Sequence, residues 1–255
     1  MRIVSLVPSL TKTLADLGMP KEHLVGRTPW CIYPEEYVSE IPVVGGTKTP
    51  NIKKILALNP DLVIMDKEEN PLEVFNELDR MGIARFVSEV ESPRDVPDML
   101  RLLGKRIDCE EMSERFATSI ELELEQEMAK NGPKVAAMIW HEPLMCVSPT
   151  RYSGSLLERC GFIVPDFEPH GNGYPVVTTN HLIEHSIEGM LLSSEPHNFA
   201  LEEGEAISEK VVLEGGQRIW NVCIDGEALT WFGTHTLYGL KHFKALCEDL
   251  KMKAS

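Results

Sequence analysis

Short apolar runs alternate with longer amphipathic ones through the first hundred residues. Residues 2–7 (RIVSLV), 24–26, 42–46 and 61–65 are rich in Val, Ile and Leu and read as strands. Residues 9–18, 52–58 and 71–81 carry apolar positions three and four apart and read as helices, the second opened by Asn51 as its N-cap. Strand–helix alternation predicts parallel strands joined by crossover helices.

The middle of the chain changes character. From 108 to 130 there is neither proline nor glycine, and Met112, Phe116, Ile120, Leu124 and Met128 recur every four residues. That spacing lays one apolar stripe along a helix whose other faces carry glutamates. A helix of this length spans about 35 Å, the width of a lobe. Its length and position predict a spine between two halves, ended by Asn131-Gly132-Pro133.

Strand signals return at 134–140, 189–192 and 218–224, with helices expected at 154–160 and 234–250. The predicted fold is therefore α/β, two lobes with mostly parallel sheets bridged by one long helix. The expected limits are 1–107 for the first lobe, 108–131 for the bridging helix and 132–255 for the second lobe.

Composition narrows the class. The chain has 255 residues, 43% hydrophobic and 25% charged, which suits folded lobes of ordinary size. A formal net charge of −15 repels phosphate backbones and argues against nucleic acid and anionic membranes as partners. Cys31, Cys109, Cys146, Cys160, Cys223 and Cys247 form no CxxC pair and are expected to be reduced, buried small hydrophobes rather than zinc ligands. No apolar run is long enough to span a membrane. Met1 leads straight into a strand pattern, so a cytoplasmic location is expected, with the periplasm or a membrane anchor as the alternative if a leader precedes it.

Candidate chemistry lies in the loops after strands, where open α/β sheets bind ligands. Three of the four tryptophans, Trp30, Trp140 and Trp231, fall there and could stack on a large, flat ligand. His141, His170, His197 and His235 fall in second-half loops, where an imidazole could reach a metal centre. His181 and His185, four apart around Glu184, do not make an HExxH motif and read as a helix face. GxSxG, GxxxxGK[ST] and a GxGxxG after a strand are all missing, and Ser153-Gly154-Ser155 reads as a helix cap.

These residues carry a family resemblance. The opening Arg2-Ile3-Val4-Ser5-Leu6-Val7-Pro8-Ser9-Leu10-Thr11 with Leu17-Gly18 resembles that of class III periplasmic binding proteins, the helical-backbone metal receptors for cobalamin, haem or ferric siderophores. Val25-Gly26-Arg27-Thr28, Val44-Gly45-Gly46-Thr47-Lys48, Asn51 through Val63, Lys67-Glu68-Glu69-Asn70 and Asp225 through Gly233 extend the likeness over nearly the whole chain. The resemblance implies ligand contacts at Trp30, Tyr33, Gly46, Thr47 and Lys67 in the first lobe, and at Trp140, Tyr174 and Glu195 in the second. It also implies one acidic residue per lobe for docking to permease arginines. In the first lobe that position is Lys53, which would repel an arginine; in the second it falls near Asn180 or Glu184.

The leading expectation is a non-enzymatic receptor that binds a metal chelate between the lobes: a corrinoid, haem or ferric siderophore, with no prosthetic group. His141 or His197 would reach the metal or a polar edge. One alternative is the substrate-binding component of an ABC importer. Another is a metal-dependent hydrolase using His141, Glu142, His170 and His235.

Overall fold

In the computed structural model, residues 1–126 and 128–254 are described. The chain falls into two compact units. The first comprises Met1–Val90, Asp95–Glu121 and Phe232–His235; the second comprises Glu91–Arg94, Leu122–Trp231 and Thr236–Ser255.

The first unit contains β1 (Ile3–Ser5), α1 (Pro8–Asp16), β2 (Leu24–Arg27), α2 (Glu35–Val38), α3 (Ile52–Ala57), β3 (Leu62–Asp66), α4 (Leu72–Arg80), β4 (Arg85–Ser88), α5 (Val96–Arg106) and most of α6 (Glu110–Glu125). Its sheet has the order β2-β1-β3-β4 with every pairing parallel. Every residue of β3 is buried, as the near-continuous apolar run Leu62–Met65 requires of a strand covered on both faces. Val4, Leu6, Val44, Ile55, Val63, Met65, Val74 and Leu78 form the core between this sheet and its helices.

The expected strand at 42–46 does not form; two isolated bridges stand in its place, a parallel one from Arg27 to Val43 and an antiparallel one from Gly45 to Pro50. Pro42 offers no amide to a ladder, and Gly45 turns the chain with φ +115°, where an added Cβ would stand 2.6 Å from the Thr49 carbonyl. Asn51 caps α3 as expected, accepting from the Lys54 amide at 3.1 Å.

The second unit contains β5 (Val135–Trp140), β6 (Met145–Cys146), α7 (Tyr152–Arg159), α8 (Thr179–Glu184), β7 (Gly189–Ser193), α9 (Leu201–Leu213), β8 (Trp220–Ile224), α10 (Gly226–Thr230) and α11 (Thr236–Ala254). Its sheet has the order β6-β5-β7-β8, parallel except for the antiparallel edge pair β5–β6. Ala136, Met138, Leu182, Met190, Leu192, Phe199, Val211 and Ile219 belong to its core. The α/β class and the two mostly parallel sheets agree with the pattern read from sequence.

The long helix is shorter than its apolar stripe suggested. α6 covers Glu110–Glu125, about 24 Å at 1.5 Å per residue. Residues 128–130 are not helical, and position 127 of the expected 108–130 helix lies outside the described residues. Two causes are visible. Glu121, Glu123 and Glu125 crowd its C-terminal end, where the helix dipole disfavours negative charge. The following backbone is also recruited elsewhere: Gly132 donates to Gly161 O at 3.0 Å and Val135 to Ile163 O at 2.9 Å. The most buried positions of α6 are Ser113, Ala117, Ile120 and Glu123; Ile120 lies on the predicted stripe, while Ser113 and Ala117 stand one residue beyond its Met112 and Phe116. Close approach explains the small residue: a Cβ on Gly104 of α5 would meet Ser113 Oγ at 2.0 Å. Sequence pattern sets limits at 107/108 and 131/132, whereas packing divides the chain within α6, between Glu121 and Leu122.

Two polar ties are specific to each unit. In the first, Thr234 donates its amide to Thr13 Oγ1 at 3.2 Å and its hydroxyl to Asp16 Oδ2 at 2.5 Å. In the second, Lys244 of α11 donates to Glu123 Oε1 at 2.7 Å and to the Glu123 carbonyl at 2.6 Å. Ser153 sits inside α7, whose N-cap is Arg151, so the Ser153-Gly154-Ser155 segment is not the cap. Cys31, Cys146, Cys160 and Cys247 are buried and all six cysteines are free. Cys223 departs from expectation: β8 is an edge strand and its thiol is exposed.

Candidate functional site

In the first unit the strand order reverses at β1, so the crevice lies beside the carboxyl ends of β1 and β3. Asn70 fastens the loops there. Its side-chain amide donates to Leu6 O at 3.3 Å and Thr47 O at 3.0 Å, while its Oδ1 accepts from the Asp66 amide at 2.9 Å. Asp66 in turn accepts from the Glu68 and Glu69 amides at 2.8 and 3.0 Å and from Ser88 Oγ at 2.6 Å. Burial pushes the Asp66 carboxyl above the usual range despite those donors. These bonds place Gly46 and Thr47 beside the turn that begins with Lys67. Lys48 adds a bond to Glu68 O at 2.6 Å, and Lys67 is ion-paired with Glu89.

Trp30 and Tyr33 follow β2 and are 63% and 44% exposed. Their turn is anchored from below. The buried Cys31 thiol meets Thr11 Oγ1 at 3.0 Å and Thr28 Oγ1 at 3.1 Å, and burial raises its pKa, keeping it neutral. A rigid base under exposed rings is what a stacking surface needs.

In the second unit the reversal lies between β5, with antiparallel β6 on its other side, and β7. Trp140 ends β5, His141 follows it, and His197 follows β7. The His197 amide reaches Ile139 O at 3.3 Å and joins the two loops. The imidazoles of His141 and His197 stack with centroids 5.5 Å apart, and Trp140 meets His197 edge-on at 6.2 Å. Phe199 packs edge-on against both imidazoles. Both rings point at one oxygen: Glu203 Oε1 lies 3.2 Å from His141 Nδ1 and 3.0 Å from His197 Nε2. The Ala200 amide, bonded to Glu203 Oε2 at 2.7 Å, and His197 hold the Glu203 carboxyl below its usual pKa.

A second group forms around Glu195. Its carboxylate accepts from Thr230 Oγ1 at 2.7 Å and from Trp231, yet burial raises its pKa above the ordinary value. Trp231 itself is only 7% exposed, because it closes α10 against the core, so it offers Glu195 a hydrogen bond and not an open ring face. Tyr174 is half-buried under the Arg151 guanidinium, 5.9 Å from its ring centroid.

Sequence reasoning missed Glu203, Phe199, Asn70 and Thr230. Glu203 carried a signal: an acid three residues after the start of a helix. The hydrolase set is not gathered. His141 pairs with His197 and Glu203; Glu142 is exposed next to His141 in the same loop, His170 is exposed in another loop, and neither joins a metal-ligand cluster among the described residues. His235 belongs to the first unit. His181 accepts from the Thr178 amide at 3.2 Å as part of the α8 cap. A cavity of about 450 Å³ in the second unit is lined by Glu123, Leu124, Met128, Ser155, Glu158 and Lys244, among others, and shares no residue with the strand-end loops.

Two α/β units, each displaying rings and polar groups on loops at its strand ends, define the class III ligand-binding proteins. The chain belongs to the periplasmic binding protein family, whose model matches residues 3–200. It is 24% identical over 205 residues to the vitamin B12-binding protein of Pectobacterium carotovorum subsp. carotovorum, covering 78% of this chain and 73% of that one. It is 26% identical over 200 residues to the vitamin B12-binding protein of Vibrio vulnificus strain CMCP6, covering 77% and 71%. Among solved structures, the periplasmic vitamin B12 binding protein BtuF of Vibrio cholerae has the same fold, with a TM-score of 0.79, 19% identity and 98% and 97% coverage. So does the periplasmic haem-binding protein RhuT from Roseiflexus sp. RS-1, with a TM-score of 0.79, 19% identity and 98% coverage of each chain. An ABC transporter substrate-binding protein from Listeria monocytogenes EGD-e follows at a TM-score of 0.73, 16% identity and 97% and 98% coverage. Both solved relatives with named ligands are described as periplasmic, which does not support the cytoplasmic location expected from the opening residues. Among the described residues, no helix is long and apolar enough to cross a membrane.

Proposed function

We propose that this chain is a non-enzymatic receptor for a metal chelate, with a corrinoid as the first choice. One observation carries the reading. At the strand ends of each unit, exposed rings stand on a fixed base: Trp30 and Tyr33 in the first, and Trp140 beside the half-buried His141 and His197 in the second. Rings of this kind supply stacking area at low entropy cost. Gly46, Thr47 and Lys67 supply polar contacts beside the first group, and Glu195 and Tyr174 supply them in the second unit. The two B12-binding relatives support the corrinoid over other chelates. The ligand would be cargo and not a prosthetic group, and the relatives named above are binding proteins.

Titration of the purified protein with hydroxocobalamin, haem and a ferric hydroxamate, followed by absorbance and calorimetry, tests this. A saturable one-to-one response to hydroxocobalamin is expected. No response to any of the three would overturn the reading.

A second reading, delivery of the ligand to an ABC permease, draws support from the Listeria relative's description. Lys53, exposed in the first turn of α3, weighs against docking to permease arginines through that helix.

A further inference from the structure

We propose that His141, His197 and Glu203 form a site for a bare first-row divalent cation, zinc first among them, taken without any organic chelator. Three donor atoms from two loops and one helix already converge. Glu203 Oε1 stands 3.0 Å from His197 Nε2 and 3.2 Å from His141 Nδ1, and all three donors lie within 4.8 Å of one another. A tetrahedral zinc ion with bonds of about 2.0–2.1 Å separates its ligands by about 3.3 Å. The two carboxylate–imidazole distances already match this, and the two imidazole nitrogens, within 4.8 Å of each other, close toward it by ring rotation when the ion binds.

The arrangement is held by groups other than the ion. Glu203 Oε2 is fixed by the Ala200 amide at 2.7 Å. Phe199 abuts both imidazoles, at centroid distances of 5.9 and 4.6 Å, and Trp140 abuts that of His197. The tie from His197 N to Ile139 O sets the spacing of the two loops. Side-chain exposures of 37%, 32% and 26% leave an entry path and a free fourth coordination position.

The donor chemistry selects the ion. Two imidazoles and one carboxylate suit zinc, cobalt, nickel or copper, whereas magnesium and calcium require oxygen ligands throughout. A net charge of −15 raises the local concentration of cations.

The site stands whatever organic ligand the chain takes, and its test contains none. The full chain, stripped with EDTA and dialysed, is titrated with zinc chloride by calorimetry and with cobalt chloride by visible absorbance. One equivalent of zinc and cobalt bands typical of tetrahedral coordination are expected. H141A and H197A should each weaken zinc binding at least about 100-fold, since each removes a coordinate bond, with folding checked by circular dichroism. H141Q and H197Q, which keep a polar side chain of similar reach, should behave the same way. In the unaltered protein, the ring nitrogen signals of His141 and His197 should shift on zinc addition. The proposal is overturned if no stoichiometric ion binds. It is equally overturned if the substitutions leave binding intact, or if the shifted signals belong to other histidines.

Discussion

Exposed rings at strand ends lose most when truncated. W30A and W140A should each weaken hydroxocobalamin binding by about 1–2 kcal/mol, roughly 5- to 30-fold, without altering the folded state. Both side chains are open, at 63% and 42% exposure, so calorimetry on the variants reads binding alone. Asp66 makes a contrasting case, because its role is internal. Burial raises its folded pKa, so its share of stability is complete below the ordinary aspartate value and is lost as pH rises through the raised one. D66N, which keeps an acceptor for the Glu68 and Glu69 amides, should gain on the wild type as pH rises from about 4 toward neutrality. Urea melts at several pH values measure this; the opposite trend would mean that Ser88 and the two amides outweigh burial. His141 and His197 were legible only as two of four loop histidines after strands; nothing in the residue pattern separates them from His170 and His235. Glu203 was passed over because its helix start lies in a run of acids, Glu202, Glu203 and Glu205, that reads as solvated surface. Trp231 misled in the other direction: a loop position does not reveal that the ring turns inward.

At the level of elements, the tie between α6 and α11 is the most exposed to substitution. The side chains of Lys244 and Glu123 retain 12% and 11% of their surface, so removing either partner strands a charge away from water. K244A should cost about 3–5 kcal/mol in denaturant unfolding. Replacing both, as E123Q with K244M, should restore much of that loss, since neither charge then remains to be solvated. Elements with clear periodicity, such as α3 and α4, were legible almost to the residue. α6 was overextended because its stripe continues to Met128, while the helix stops where tertiary backbone bonds to residues 161–163 compete. The 42–46 strand failed for a similar reason: apolar content favoured it, and Pro42 and Gly45 removed its ladder.

The whole molecule carries one dominant long-range property, its charge. A field from −15 disfavours an anionic ligand such as haem, with its two propionates, and screening relieves that penalty. Haem affinity should therefore rise between about 0.05 and 0.5 M salt, where the Debye length shrinks from about 14 Å to 4 Å, while hydroxocobalamin affinity changes far less. Calorimetry at the two salt concentrations checks the pair. At this scale the sequence revealed the alternation that makes two mostly parallel sheets, because each crossover leaves a local signature. It could not reveal which distant segments share a unit, since nothing local to Thr234 announces its bonds to Thr13 and Asp16.

Those bonds have a practical corollary for anyone cutting the gene. The amino-terminal body is completed by a tetrapeptide, Phe232–His235, encoded more than a hundred codons downstream of Glu121. A fragment stopped at that codon would strip Thr13 Oγ1 of the Thr234 amide and leave Asp16 Oδ2 with Lys12 but without the Thr234 hydroxyl. Swapping specificity between relatives by exchanging front halves therefore requires a small distal graft as well, or the hybrid inherits a mismatched joint.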